Sequence, residues 1–134
     1  MPPVLANLAD VDAVVQIDLS VFPSMPLDRP AWEKAVEHGD VWVIGQPPVG
    51  FLLANDDSWG RTLVRVGVGA TERRKGFGTQ LIEAALVDVN SAQLMVDQSN
   101  RRAIVLYERL GFKIVGESPS QGRSGYYTMH WSNT

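Results

Sequence analysis

The chain has 134 residues, 45% of them apolar, which is enough for one core and too few for several, so residues 1–134 read as a single domain. It contains no cysteine, excluding disulfides, thiolate metal sites and a cysteine nucleophile, and no apolar run approaches the roughly 18 residues that cross a bilayer. Residues 1–60 hold two basic and nine acidic side chains (−7), residues 61–109 hold eight and five (+3), and residues 110–134 hold two and one (+1). The centre therefore suits an anion, the first part a cation, and the acidic total argues against nucleic acid.

Residues 4–7 predict a short strand. Asp10 can then accept from the free amides of a helix start, and Val11, Val14, Val15 and Ile17 form an apolar stripe, predicting a helix over about 11–20. Phe22-Pro23-Ser24-Met25-Pro26 ends it, because each proline lacks an amide hydrogen and restricts the residue before it, leaving a loop with exposed apolar groups. Pro30 suits the first turn of a second helix with Trp32, Ala35 and Val36 on one side and Gly39 at its end.

From Val41 the period changes to that of strands. Residues 41–44 and 49–54 read as a hairpin joined by Gln46-Pro47-Pro48, and residues 62–68 as a further strand, with Gly67 and Gly69 marking a bulge or a close backbone approach. A helix is expected over 76–89, with Phe77, Leu81, Ile82, Ala85, Leu86 and Val89 on its buried face. A strand over 93–96 follows, then a helix over 101–110 striped by Ala103, Ile104, Leu106, Tyr107 and Leu110 and ended by Gly111. Residues 113–116 and 126–131 supply the last strands, so the order indicates a mixed α/β sheet flanked by helices.

The sharpest local signal is Arg73-Arg74-Lys75-Gly76-Phe77-Gly78-Thr79 between a strand and a helix. Glycines leave the backbone uncovered where the first helical amides lack intrachain partners, and the macrodipole and three cations favour an anion such as a pyrophosphate. No Gly-Lys-Ser/Thr closes the turn, so it is not a P-loop, and it lacks the three-glycine dinucleotide fingerprint. A second block, Val96-Asp97-Gln98-Ser99-Asn100-Arg101-Arg102-Ala103-Ile104-Val105-Leu106-Tyr107-Glu108-Arg109-Leu110-Gly111-Phe112, follows about 20 residues later.

With both blocks in view, residues 62–117 resemble the GNAT family, the Gcn5-related N-acetyltransferases. The resemblance implies a mixed α/β fold with a mostly antiparallel sheet of about six or seven strands and about four helices. It also implies acetyl transfer from acetyl-CoA to an amine, either a small molecule or a peptide N-terminus. On that resemblance Arg73, Arg74, Lys75, Gly76, Phe77, Gly78 and Thr79 would wrap the pyrophosphate, while Val66, Gly67 and Val68 would splay from the neighbouring strand and hydrogen-bond the pantetheine arm. Asn100 would contact the cosubstrate or fix its own helix start, and Tyr107 would meet the sulfur and protonate the departing thiolate. A phenol with an ordinary pKa near 10 is suited to that proton transfer. The entry segment Ile17 to Trp32, with Phe22-Pro23, is similar to that of the acetylases of ribosomal-protein N-terminal alanines, although Met95 and Asp97 depart from that subgroup's pattern.

The family often places a glutamate on the strand before the phosphate turn, and here that strand carries Thr62 and Arg65 but no carboxylate. The base is open among Asp56, Asp57, Asp97, His130 and water. No metal is expected, and with no cysteine to carry an acyl group, direct attack in a ternary complex is the simpler course. The expected protein is cytoplasmic, independent of membranes, and a monomer or homodimer. A non-catalytic acyl-CoA sensor on the same fold is the alternative, and a generic nucleotide binder a third reading.

Overall fold

In the computed structural model, which describes residues 2–120 and 123–133, contacts gather the chain into two units. One comprises Met1–Ala54 with Arg65–Val87, and the other Asn55–Val64 with Asp88–Thr134. Seven strands hydrogen-bond in the order β1-β2-β3-β4-β5-β7-β6, with β4 divided between the units.

In the first unit β1 (Val4–Leu5) pairs antiparallel with β2 (Val41–Ile44), and β2 pairs antiparallel with β3 (Gly50–Asp56) from Val41↔Leu53 to Ile44↔Gly50, the hairpin the sequence predicts. Every residue of β2 is buried because both of its faces are covered. Val41 and Val43 join Phe51 and Leu53 in a core closed by Val11, Val14 and Ile17 of helix α1 (Val11–Val21) and by Trp32 and Val36 of helix α2 (Arg29–Glu37). Trp32 is fully buried and meets the Phe51 ring edge-on, with centroids 4.9 Å apart. Helix α3 (Phe77–Leu86) packs on β2, and Leu81 approaches Gly50 beside Ile44. Asp28 caps α2 by accepting from the Ala31 amide, with Pro30 in the first turn.

Two predictions in this unit are corrected and a third is narrowed to one of its alternatives. Asp10 makes no cap bond to α1; its carboxylate turns back to accept from the Asn7 amide at 2.9 Å while Asn7 accepts from Ala9, forming a capping box on the short 3-10 turn Leu8–Asp10. Helix α3 ends at Leu86 rather than Val89, leaving Val87 84% exposed, because Val87-Asp88-Val89-Asn90 combines β-branched residues with side chains that compete for backbone hydrogen bonds. Gly67, on β4 (Arg61–Val68), marks a close approach: a Cβ there would lie 2.6 Å from the Phe51 ring.

In the second unit β5 (Ser91–Asp97) pairs antiparallel with β7 (Arg123–Ser132), from Ser91↔Ser132 to Asp97↔Tyr126, and β7 pairs antiparallel with β6 (Lys113–Ser120) through irregular register. The first residues of β4 run parallel to β5, paired from Arg61↔Ala92 to Leu63↔Leu94, and β4 itself continues to Val68. Ala92, Leu94, Val96, Phe112 and Met129 are buried. Helix α4 (Arg101–Arg109) carries the predicted stripe, but none of its residues is fully buried. Gly111 ends it at φ +101°, where a Cβ would press on the Trp131 ring at 3.2 Å.

Candidate functional site

The turn between β4 and α3 is built of backbone in unusual conformations. Arg74 sits at φ +69° and Gly76, the residue capping α3, at φ +81°, a region where glycine carries no Cβ penalty. A Cβ at Gly76 or Gly78 would meet no atom within 4 Å, so open space borders the main chain at both positions. No side chain caps α3, and the Phe77, Gly78 and Thr79 amides find no acceptor among the described residues; Gln80 is the first to reach back, to the Gly76 carbonyl at 3.0 Å. Several unpaired N–H groups at the positive end of a ten-residue helix thus border a space that side chains leave empty. That donor set suits a diphosphate.

The flanking cations differ from one another. Lys75 pairs with Glu72 at 2.9 Å, and the ammonium holds the Glu72 carboxyl below its ordinary range. Arg73 donates from Nε to the Val68 carbonyl at 3.3 Å, which engages one acceptor at the end of β4. Arg74 makes no such bond among the described residues. Val66 and Val68 are half-buried and Gly67 is buried.

Tyr107 lies on α4, half-buried, with its ring 6.0 Å from that of Phe112. Burial pushes its phenol above the ordinary value, and no hydrogen bond engages the hydroxyl among the described residues. The group is therefore a protonated donor at neutral pH. Asn100 caps α4, accepting from the Ala103 amide at 3.3 Å, while Ser99 is held by Asp97 through its hydroxyl (2.5 Å) and amide (2.8 Å).

Among the candidate bases, Asp56 takes both Nε and Nη2 of Arg61, at 2.7 and 2.9 Å, and this hydrogen bonding drives its carboxyl below the usual range. A base needs the opposite shift, so Asp56 is a poor proton acceptor. Asp57 accepts from the Trp59 indole at 3.3 Å, Asp97 shapes the turn before α4, and His130 on β7 lies 6.5 Å from the Trp59 ring.

Sequence reasoning passed over Asp18. It is fully buried on α1 and accepts from the Leu27 amide (2.8 Å), the Trp32 indole (3.2 Å) and Nη1 of Arg65 (2.6 Å), and the Arg65 guanidinium also lies 4.5 Å over the Phe22 ring. The signal was spacing: Val11, Val14 and Asp18 fall at i, i+3 and i+7, so the carboxylate continues the apolar stripe. The acidic excess of residues 1–60 is also largely committed to structure: Asp12 pairs with Arg29, Asp18 with Arg65, Asp56 with Arg61, and Asp10 and Asp28 serve caps. Its pull on a cationic acceptor is correspondingly weaker than the tally suggests.

Residues 37–114 match the model of the acetyltransferase (GNAT) domain family. A curated relative, the peptidyl-lysine N-acetyltransferase YjaB of Salmonella typhimurium, is 26% identical over 91 residues, spanning 68% of this chain and 55% of that protein, so the match extends over about half of the relative's length. Among solved structures, a GNAT-family acetyltransferase from Bacillus cereus superposes with a TM-score of 0.86 at 18% identity, covering 98% of this chain and 96% of that one. A chain of the NatC complex bound to Gag peptide and CoA superposes with a TM-score of 0.82 at 16% identity over the whole of both chains. No helix among the described residues is long and apolar enough to cross a membrane.

Proposed function

Because the chain belongs to the GNAT acetyltransferase family, we propose that it transfers an acetyl group from acetyl-CoA to a primary amine by direct attack in a ternary complex, its units forming one N-acetyltransferase domain. The observation that carries this reading is the start of α3, where the Phe77, Gly78 and Thr79 amides lack acceptors and the space beside Gly76 and Gly78 is empty. These groups fit the diphosphate of CoA, with Arg73, Arg74 and Lys75 adding positive charge, and the main chain of 66–68 supplies peptide groups for the pantetheine arm. The thioester supplies an acetyl group activated toward amines. Tyr107 holds the proton that the departing thiolate needs, and its burial keeps that proton in place at neutral pH. Asn100 fixes the start of the helix that carries Tyr107.

The amine must shed its own proton, and with Asp56 bound to Arg61 and Asp97 shaping a turn, ordered water is the acceptor this reading favours. The relative that acts on peptidyl-lysine and the complex bound to a peptide make a peptide amine one acceptor class to test, beside small amines. The absence of a carboxylate on β4 favours the second reading, an acyl-CoA sensor.

Calorimetry with acetyl-CoA, followed by thiol release across an amine panel, decides between them. The expected result is binding that an unrelated nucleotide does not match, release with at least one amine, and a loss of about 10²-fold or more in kcat for Tyr107→Phe at little cost to acetyl-CoA affinity. Binding without release from any amine favours the sensor. Binding no tighter than that of an unrelated nucleotide overturns both.

A further inference from the structure

The site described above leaves one built feature unused. Arg65 stands next to Val66 on β4, and by strand alternation its side chain shares a face with Gly67, on the side of the sheet that α1 and α2 cover. Asp18 grips it at Nη1 and the Phe22 ring lies against its plane, so the guanidinium is held by an ion pair and a cation-π contact, with the side chain 13% exposed. Of its five N–H donors, those on Nε and Nη2 have no partner among the described residues, and no buried side-chain nitrogen is left unpaired, so they open toward solvent. Asp18 cancels the charge. What the pair presents is a fixed, neutral set of hydrogen-bond donors, bordered by the loop carrying Phe22 and Leu27, where Met25 is 73% exposed.

A neutralised guanidinium is matched by a carbonyl oxygen better than by a second cation, and a site with fixed N–H donors discriminates against molecules that bring no acceptor atom. We infer that Arg65 determines acceptor specificity by donating to a carbonyl next to the reacting amine, so that the acceptor is an α-amino carbonyl compound, an amino-acid amide or a peptide N-terminus. A polyamine has no oxygen to accept these bonds, and a lysine side-chain amine is remote from its carbonyl. This inference rests on the proposed acetyl transfer and names its substrate class.

The test uses the full chain with saturating acetyl-CoA and thiol detection, comparing alaninamide, an alanine-initiated tetrapeptide, an Nα-acetylated lysine amide and spermidine. The expected wild-type kcat/KM is at least about ten-fold higher for the first two than for the last two, the size of one well-placed hydrogen bond to a charged group. Alaninamide against the tetrapeptide separates a free amino-acid derivative from a peptide as the source of the carbonyl. Arg65→Lys, which keeps the charge opposite Asp18, should raise the KM of the favoured acceptors about ten-fold while leaving the KM of acetyl-CoA unchanged. Equal use of spermidine or the lysine amide by the wild-type protein overturns the inference without any variant. So does an equal loss for all four acceptors in Arg65→Lys. Acetyl-CoA binding with no turnover of any of the four also overturns it, and absent binding overturns the acetyl-transfer reading beneath it as well.

Discussion

Two arginines sit four residues apart on β4, on the same face, and their surroundings make them different groups. Arg61 is almost wholly buried, with Asp56 chelating Nε and Nη2 and Asp88 taking Nη1 at 2.8 Å, and these carboxylates hold its charge firmly in place. Both carboxylates are more than half exposed, so the cation is inside and its partners are at the surface. At Arg65 the arrangement is reversed: the carboxylate is fully buried, one guanidinium nitrogen serves it, and the others have no hydrogen-bond partner among the described residues. A buried cation with each of its three nitrogens engaged by surface carboxylates contributes order, whereas a buried anion beneath a partly engaged cation leaves donors for another molecule.

The contrast can be broken most sharply at Arg65. Arg65→Met leaves the Asp18 carboxylate buried without its cation and should cost about 3–5 kcal/mol of unfolding free energy, measured by urea denaturation. Two residues beyond Arg65, Gly67→Ala forces a Cβ into the Phe51 ring and should cost about 1–3 kcal/mol by the same measurement. Asp56→Asn at the Arg61 end should cost only about 1 kcal/mol, because the lost charge is half in solvent. Acid should mimic that change. The Asp56 carboxyl is held below its unfolded value, so its contribution is complete above about pH 4 and disappears as pH falls through the depressed value. The pH dependence of the urea midpoint should lose that component in Asp56→Asn.

The smallest effect concerns a group whose burial has no counter-ion. Tyr107 is raised above its unfolded value near 10, so the stability linked to its proton is present below that pH and lost as pH rises through the folded value. In an ultraviolet titration the wild-type protein should show a phenol ionising above the ordinary value near 10, and Tyr107→Phe should remove that step.

How much of this was legible beforehand depended on where the information resides. Gly76 and Gly78 announce an uncovered backbone directly, because the feature is the missing side chain itself, and the strand-helix alternation around them follows from apolar period alone. The seven strands and four α-helices among the described residues were readable for the same reason. Asp18 was not, since a single carboxylate on an apolar stripe reads as a surface position until Arg65, 47 residues away, is brought to it by the sheet. Asp10 was misassigned because a helix start offers two uses for a carboxylate, and only the Asn7-x-x-Asp10 spacing distinguishes them. The end of α3 was overrun because no glycine or proline marks it.

Since the proposed diphosphate cradle at the start of α3 consists of peptide groups, with Lys75 tied to Glu72 and Arg73 to a carbonyl, its chemistry does not vary with residue identity in the way a side-chain site does. Drift at positions 73–75 would retune the salt sensitivity and capture rate of an anion there, yet leave its seat intact. Only a change that gives Gly76 or Gly78 a side chain, or that shifts the helix axis, would remodel the seat itself.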